Sequence, residues 1–265
     1  MISPDIVTRT IAGLALSVAI AAIARSREAL TTGGSIAAVF VATATAAAGW
    51  TWAAALIAFF IASTLLSRAG GRSKRERTED IVAKAGARDA WQVIANGGPF
   101  AAFAVASILW PSAEWTIPGA GALAASNADT WATEIGTMSR RVPRSIITFR
   151  EVAPGTSGGV TWAGMLGSIA GAVFIALILS LGGWPVQSAC AALIGGVSGS
   201  LLDSIIGATI QEKRWCVSCG RGTERAVHTC GSSTTVIGGV SWFRNDAVNF
   251  ISSVAGALIG MLCLL

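Results

Sequence analysis

Charged side chains are scarce in this sequence. They make up 12% of its 265 residues, which is about half of the share of about 25% that soluble domains usually have. Hydrophobic residues make up 53%, and the mean hydropathy is +0.64. The shortage of charge excludes a soluble globular protein and predicts an integral membrane protein. A nucleic-acid-binding protein is also excluded despite the net charge of +5, because the basic residues stand in short clusters between apolar runs, where they act as orientation signals.

Signals for β-strands are lacking as well. Alanine and glycine dominate, apolar and polar residues rarely alternate, and an open sheet is not viable in lipid. A helix needs about 20 mainly apolar residues to cross the hydrocarbon core. Eight segments qualify, at approximately 6–24, 35–49, 51–67, 97–111, 115–135, 160–181, 185–210 and 240–264. The sequence therefore predicts an all-α, polytopic membrane protein with a single transmembrane helical domain over residues 1–265.

Lys and Arg are distributed unevenly between the two sides of these spans. Of the 19 basic residues, 17 lie in the loops after spans 1, 3, 5 and 7. Cytoplasmic loops are enriched in Lys and Arg, so these loops are predicted to be cytoplasmic and both termini to be outside, in the inner cell membrane. A cleaved signal peptide in place of span 1 would put Arg25 and Arg27 outside, against the parity of the remaining spans.

Two further features concern structure. Residues 79–96 are amphipathic and too polar to span, so they are expected to form a cytoplasmic or interfacial helix that leads into span 4. Small residues spaced by four, as in Gly167/Gly171 and Gly195/Gly199, predict close packing of helices.

Three aspartates interrupt the apolar spans. Asp129 lies in span 5, Asp203 in span 7 and Asp246 in span 8, and an ionisable residue inside a membrane helix marks a functional site by default. Spans 5 and 7 run inward and carry their aspartates late, whereas span 8 runs outward and carries its aspartate early, so all three are expected near the cytoplasmic face. Carboxylates and amides gathered there suit Mg²⁺. Alternatively, each aspartate hydrogen-bonds a neighbouring helix. The residues expected to assist are Asn127, Thr130, Asn245 and Asn249.

The loop at 137–159 has the composition of a phosphate-binding segment. Glycine-rich backbone before a helix offers N–H groups to an anion, and arginine adds bidentate contacts with phosphate. No Gly-Lys-Ser/Thr follows, so this is not a Walker A sequence. The alternative is that the arginines are orientation signals and the glycines a turn. The predicted phosphate-binding residues are Arg140, Arg141, Arg144, Arg150, Gly155, Thr156, Ser157, Gly158 and Gly159.

The loop at 211–236 contains Cys216, Cys219, His228 and Cys230, and His228 is the only histidine in the chain. This Cys-x2-Cys-x8-His-x-Cys spacing is typical of a structural zinc site, and a reducing cytoplasm favours thiolate ligands over disulfides. The alternatives are a redox pair or ordinary thiols.

Several of these motifs occur together in one known family. They are SNADTWATEIG at 126–136, PGTSGGVT at 154–161, DSIIG at 203–207, the Cys/His loop, and NDAVN at 245–249. The combination resembles the integral membrane family that includes the phytyl-phosphate kinase of tocopherol synthesis and the eukaryotic transmembrane protein nineteen group. More distantly, Asp129-Thr130 and the glycine loop are similar to the CTP-dependent phytol and dolichol kinases.

The resemblance implies a kinase that uses Mg²⁺ and transfers a phosphoryl group from a nucleoside triphosphate, CTP in the first place, to an isoprenoid monophosphate such as phytyl or geranylgeranyl phosphate. Its partners would be the lipid phosphate, the nucleotide and membrane lipids. Asp129, Asp203 and Asp246 would be the metal ligands. A phosphate monoester has a second pKa near 6, so the acceptor is mostly a dianion at neutral pH and needs no general base. The lack of histidine near the aspartates is therefore no objection.

Two other functions stay open at this point. Buried aspartates and glycine-rich helices also suit a cation-coupled transporter, although such sites usually lie near the bilayer midplane. A lipid-phosphate cytidylyltransferase would use the same donor and metal. The prenyl chain, the preferred nucleotide and the oligomeric state are not indicated by the sequence.

Overall fold

The computed structural model describes residues 4–84 and 86–264, without the side chains of Arg72, Ser73 and Leu264. The side chain of Arg72, one of the basic residues predicted to be cytoplasmic, thus lies outside the described part. Within it the chain forms nine α-helices. They are α1 Pro4–Ser26, α2 Thr32–Ala48, α3 Trp50–Ala69, α4 Gly71–Thr78, α5 Ala90–Leu109, α6 Thr116–Met138, α7 Trp162–Leu181, α8 Val186–Thr209 and α9 Asn245–Gly260.

The predicted polytopic helical architecture is confirmed. Six helices (α1, α3, α5, α7, α8, and α9 with the 3₁₀ turn that follows it) are long and apolar enough to cross a membrane. Helix α2 is apolar but has 17 residues, and α6 has 23 residues with polar ones in its second half. With α2 and α6, the long helices correspond one to one to the eight predicted spans.

Helix α6 is the centre of the bundle. Its residues from Ile117 to Ala128 are all buried, because α5, α7, α8 and α9 pack around it. Helix α1 lies at the periphery and packs on α2. A helix surrounded by other helices needs no lipid-facing apolar surface, which is why α6 can carry the polar residues that follow Ala128.

Glycines allow the central helices to approach closely. A Cβ built on Gly195 of α8 would lie 2.2 Å from the carbonyl oxygen of Gly256 in α9, and one on Gly121 of α6 would lie 2.4 Å from the same oxygen. A Cβ on Gly171 of α7 would lie 3.0 Å from Ala128 Cα in α6. The close packing predicted from the small-residue spacings is therefore confirmed.

The four basic loops meet at one end of the bundle, which we call the basic end. A guanidinium nitrogen of Arg68 donates to the carbonyl of Arg27 at 2.6 Å, and one of Arg77 donates to the carbonyl of Ser139 at 2.9 Å. A threonine of the loop after α8 donates to the carbonyl of Asp80 at 2.7 Å. These contacts agree with the parity of the spans, which places the four loops on one side.

The helix predicted over 79–96 is wrong in its first half. None of the described residues between Thr78 and Ala90 is helical. Asp89 and Gln92 form a capping box, in which each side chain accepts a hydrogen bond from the other residue's backbone N–H, at 2.9 and 3.1 Å. This box starts α5 at Ala90, seven residues before the predicted span. The carbonyls of the preceding segment are used in contacts with the loop after α8.

Short strands, which the sequence did not indicate, occur in the loops at the basic end. β1 (Arg144–Ser145) pairs antiparallel with β2 (Gly159–Val160). β3 (Lys213–Cys216), β4 (Arg221–Thr223) and β5 (Thr235–Gly238) form a sheet in the order β4-β3-β5. Strands of two to four residues are too short to show alternation in a sequence. The predicted loop at 211–236 is thus a small antiparallel sheet.

Candidate functional site

Asp129 of α6 and Asp203 of α8 face each other near the basic end. One turn deeper in the bundle, a Cβ built on Gly199 would lie 2.5 Å from Ala125 Cβ and 2.9 Å from the carbonyl oxygen of Ser252 in α9. Asp203 follows Gly199 by four residues, and Asp129 follows Ala125 by four. Four residues are about one helical turn, so the two aspartates lie at the same depth, as the sequence predicted.

The surroundings of the two aspartates are polar but lack positive charge. Ser252 Oγ donates to Asp203 Oδ2 at 3.0 Å, and the carboxylates of Asp129 and Asp203 interact electrostatically. Among the described residues, neither has an ion-pair partner. Asn249, almost one turn before Ser252, has its Oδ1 buried without a hydrogen-bond partner. A buried anionic pair without a counter-ion is costly, and a divalent cation would offset that cost.

A third acidic residue, Glu224, joins this pair from the loop after α8. Its charge acts on Asp203, and its Oε1 accepts a hydrogen bond from Ser157 Oγ. Burial raises the pKa of Glu224, although hydrogen bonds from Ser157 and Gln211 oppose the rise. Glu224 was not predicted from the sequence, because it lies in a polar loop, where carboxylates are common and do not indicate a site. We call Asp129, Asp203 and Glu224 the carboxylate cluster.

The glycine loop packs directly on α8. Gly158 has a φ of +77°, and a Cβ there would lie 2.4 Å from Ala208 Cβ and 2.7 Å from the carbonyl oxygen of Ser204. Only glycine combines this conformation with this close approach. The loop therefore holds Ser157 beside Glu224, about one turn beyond Asp203.

The row of free N–H donors expected in this loop needs correction. The N–H groups of Thr156 and Gly159 donate to carbonyls within the loop, and that of Ser157 donates to Glu224. Thr161 Oγ1 caps α7 by accepting from the N–H of Gly164 at 3.0 Å. Three of the five N–H groups from Gly155 to Gly159 are thus used within the folded loop, which holds Ser157 beside Glu224.

Asp246 also lies at the basic end, but it has a cationic partner. Lys84 Nζ lies 2.5 Å from Asp246 Oδ2 and 2.7 Å from Asp89 Oδ2. Burial lowers the pKa of Lys84, but the hydrogen bonds and charges of Asp246 and Asp89 more than offset this, so the pKa is raised. Asp246 Oδ1 is buried without a partner. Asp246 therefore differs from Asp129 and Asp203, since one of its oxygens is already in an ion pair.

Three predicted assistants are not brought to the carboxylate cluster. Asn127 faces α7, where its Nδ2 donates to the carbonyl of Gly171 at 2.7 Å. Thr130 Oγ1 donates to the carbonyl of Ser126 at 2.8 Å, and Thr130 lines an apolar groove on the other side of α6. Asn245 begins α9 and is exposed. Adjacent residues of a helix point in different directions, so nearness in the sequence did not place them at the site.

The four predicted arginines, Arg140, Arg141, Arg144 and Arg150, are exposed on the loop between α6 and α7. Arg144 pairs with Glu151 at 3.4 Å. The other three guanidinium groups have no ion-pair partner within the described part of the chain. Exposed cations of this kind attract anions to the basic end.

The structure brings Cys216, Cys219, His228 and Cys230 together beside the three-stranded sheet. Their ligand atoms all lie within 4.8 Å of one another. Cys216 Sγ is 3.7 Å from Cys230 Sγ, and His228 Nδ1 is 3.3 Å from Cys230 Sγ. Tetrahedral zinc with Zn–S bonds of about 2.3 Å sets the S···S distance at about 3.8 Å. The cluster thus has the dimensions of a zinc site, and its cysteines are free thiols.

The thiols of this cluster differ in how readily they ionise. Hydrogen bonds from Ser232, with a smaller one from His228, lower the pKa of the Cys230 thiol to about 6. Hydrogen bonds shared with Cys230 and Cys216 raise the pKa of Cys219 to about 11. The thiolate is the form that binds metal. His228 Nε2 lies 3.9 Å from Asp80 Oδ1, which is too far for a hydrogen bond.

Comparison of the sequence with known proteins identifies the family of this chain. Residues 15–257 match the family described as integral membrane protein DUF92. The chain is 33% identical over 272 residues to Protein PGR of Arabidopsis thaliana, covering 92% of each chain. It is 29% identical over 215 residues to an uncharacterized membrane protein of Methanocaldococcus jannaschii, covering 81% of this chain and 76% of that one. No solved structure matches it. The chain therefore belongs to the integral membrane DUF92 family.

Proposed function

We propose that this protein is a membrane kinase that transfers a phosphoryl group from a nucleoside triphosphate, CTP as first candidate, to an isoprenoid monophosphate such as phytyl or geranylgeranyl phosphate. The observation that carries the proposal is the carboxylate cluster, in which Asp129, Asp203 and Glu224 come together without an ion-pair partner among the described residues. The motif resemblance to phytyl-phosphate kinase supports the reaction class. The basic end would face the cytoplasm from the inner cell membrane, because its loops carry most of the Lys and Arg.

The oxygen donors of the site fit Mg²⁺. This ion prefers carboxylate, amide and phosphate oxygens and keeps several water molecules. Asp129 and Asp203 would hold it, and the unpaired Oδ1 atoms of Asn249 and Asp246, together with Glu224, offer further oxygen ligands. Mg²⁺ bound there would neutralise charge on the donor phosphates.

The proposed reaction needs positioning more than acid–base chemistry. A phosphate oxygen of the acceptor forms a bond to the γ-phosphorus of the donor, the bond from that phosphorus to the β-bridging oxygen breaks, and the nucleoside diphosphate leaves with the electron pair. The acceptor is mostly dianionic at neutral pH, so no proton must be removed. Arg140, Arg141 and Arg150 would hold donor phosphates from the loop after α6, since they have cationic groups available at the same end.

A structural zinc ion is proposed at Cys216, Cys219, His228 and Cys230. All four positions would be occupied by protein ligands, so no site would remain for substrate. The ion would fix the sheet whose strand β4 leads directly into Glu224, and so support the carboxylate cluster.

Product analysis tests the kinase proposal. Purified protein in detergent is incubated with Mg²⁺, CTP or ATP, and phytyl or geranylgeranyl phosphate. A kinase yields a nucleoside diphosphate and a lipid diphosphate, and a cytidylyltransferase yields pyrophosphate and a CDP-lipid. Consumption of neither nucleotide with either acceptor would overturn the proposal and leave a cation-coupled transporter to be tested by ion flux. Asp129→Ala should abolish turnover, whereas Glu114→Gln, exposed at the opposite end, should not.

A further inference from the structure

An apolar groove lies between α1 and α3, which both pack on α2. α2 and α5 complete its walls. We call it the α1–α3 groove. Most of its lining side chains are aliphatic or aromatic, and the polar ones are Ser17, Arg88, Gln92, Asn96 and Thr130. The hydroxyl of Ser17 already forms hydrogen bonds within α1 and with α2. Of the other polar residues, Arg88 lies just before α5 and Gln92 in its first turn, toward the basic end.

Arg88 brings a positive charge into this end of the groove. Its backbone is fixed beside α2, because its N–H donates to the carbonyl of Ala29 and its carbonyl accepts from the N–H of Thr31, both at 3.0 Å. Its guanidinium donates to Thr64 Oγ1 at 3.3 Å and lies 5.7 Å from the centre of the Phe60 ring. Burial lowers the pKa of Arg88 to about 10, so the group stays charged at neutral pH.

Within residues 4–84 and 86–264, no carboxylate forms an ion pair with Arg88. An unneutralised guanidinium at the mouth of an apolar groove fits a ligand that has an anionic head and a hydrocarbon tail.

The groove leads toward the polar residues of the basic end. Thr130 lines it from α6, on the side of that helix away from the carboxylate cluster. Gln92 lines both the groove and a polar cavity of about 380 Å³. The charged residues in the walls of that cavity are Arg75, Lys84, Arg225, Glu79 and Asp89. A lipid phosphate held at Arg88 would therefore stand where the apolar groove meets a polar cavity at the basic end.

The other end of the groove is closed. A Cβ built on Gly13 of α1 would lie 2.4 Å from Ala46 Cβ of α2, so these helices touch there, and both residues line the groove. From Thr32, at the level of Arg88, to Ala46, helix α2 rises about 21 Å. The hydrocarbon core is about 30 Å thick, so the groove accepts one chain that stops within the bilayer.

We infer that the α1–α3 groove binds the hydrocarbon chain of a prenyl monophosphate, with Arg88 on its phosphate, and that the closed end at Gly13 and Ala46 limits the chain length. This inference rests on the proposed kinase function for its choice of ligand. A single closed groove accommodates one chain, and this favours a prenyl phosphate over a two-chain phosphatidic acid.

Photo-crosslinking tests where the prenyl chain binds, and it does not require catalytic turnover. Wild-type protein in detergent is irradiated with geranylgeranyl monophosphate that carries a diazirine at its hydrocarbon terminus, without nucleotide. The expected adducts map to α1 and α2 near Gly13 and Ala46. Unlabelled geranylgeranyl phosphate should compete, whereas geranylgeraniol, which lacks the phosphate, and phosphatidic acid should compete at least roughly tenfold less well. Adducts elsewhere, or competition by geranylgeraniol or phosphatidic acid equal to that by geranylgeranyl phosphate, overturn the inference.

Substitutions in the protein test the binding of the phosphate and the binding of the hydrocarbon chain separately. Arg88→Gln should weaken probe labelling roughly 10- to 100-fold, since it removes a charge-assisted contact, and Arg88→Lys should restore part of it. Ala42→Phe fills the middle of the groove, so it should abolish labelling by the geranylgeranyl probe and retain binding of a geranyl analogue. Ala44→Phe, on the same helix but outside the groove, is the control and should label as wild type. Equal behaviour of the Ala42 and Ala44 variants would refute the groove.

The two proposals fail in different ways. Labelling in the groove without any consumption of nucleotide would leave the lipid site standing and remove the kinase. Formation of lipid diphosphate together with labelling outside α1, α2, α3 and α5 would leave the kinase standing and remove the groove.

Discussion

The substitution Asp203→Asn separates a metal-binding role of the carboxylates from a packing role. Asparagine keeps the shape of the side chain, and its Oδ1 can still accept the hydrogen bond that Ser252 donates at 3.0 Å. It removes one of two like charges that Asp129 and Asp203 hold close together. Without Mg²⁺ the variant should therefore be as stable as the wild type or more stable, because a repulsive buried pair has been relieved.

The size of the expected effect can be calculated from the stabilisation of the folded protein by Mg²⁺. A ligand that binds only the folded protein stabilises it by about 2.7 kcal/mol at 100 times its Kd. If the loss of one carboxylate ligand weakens binding about 100-fold, the same Mg²⁺ concentration stabilises the variant by only about 0.4 kcal/mol. Turnover should fall roughly 100- to 1,000-fold, as for the loss of one preorganised electrostatic group.

Thermal unfolding in detergent, followed by the fluorescence of the ten tryptophans, measures both quantities with and without Mg²⁺. Glu114→Gln is the matched control, because it also removes one negative charge but lies outside the bundle and far from the basic end. A variant at Asp203 that is destabilised without Mg²⁺, and that keeps the full stabilisation by Mg²⁺, would show that this aspartate serves helix packing and that the metal-site reasoning is wrong.

Three further outcomes are expected. The double substitution of Cys216 and Cys219 by serine should remove bound zinc, as measured by elemental analysis, and unchanged zinc content would contradict the zinc site. Burial raises the pKa of Glu224, so the stability that its protonated form contributes is present at low pH and is lost as pH rises through the raised pKa. Glu224→Gln should therefore reduce the fall in Tm between about pH 5 and pH 8 while it lowers turnover, and a steeper fall would refute this. Gly158→Ala should destabilise the protein by about 2 to 4 kcal/mol, because it adds a clash with α8 to the strain of a positive φ. Gly183→Ala, with a φ of +78° and open space around it, should cost only about 1 to 2 kcal/mol, and equal costs would exclude the clash.

The spans could be predicted because each depends on local composition. Hydropathy located all eight long helices, including α6, whose first half, up to Ala128, is buried by its neighbours and whose second half is polar. The start of α5 could not be found this way, since the capping box of Asp89 and Gln92 is a local polar signal inside a stretch that hydropathy treats as uniform. The irregular segment before it depends on carbonyl contacts with a distant loop, which no local pattern indicates.

The candidate site could be predicted in part, because two of its residues are also visible in the local composition of the helices. Asp129 and Asp203 are recognisable as charged residues in apolar helices. The direction in which their spans cross the membrane predicted that they lie at the same depth. The partner of Asp246 could not be predicted, because Lys84 comes from a loop 162 residues away in the chain. Glu224 reaches the site only through the fold of the Cys/His loop.

The two proposed metal centres are parts of one assembly at the basic end. The backbone N–H of Glu224 donates to the carbonyl of Ile81 at 2.9 Å, and Thr223 Oγ1 donates to the carbonyl of Asp80 at 2.7 Å. Asp80 in turn accepts a hydrogen bond from Thr229, next to His228 in the cysteine cluster. The same strand and segment thus connect the thiols to a carboxylate of the cluster, although no cysteine is part of it. Loss of the zinc ligands should therefore lower turnover through the position of Glu224, and Glu224→Gln should add little further loss once zinc is gone, because two changes acting through one group are not additive.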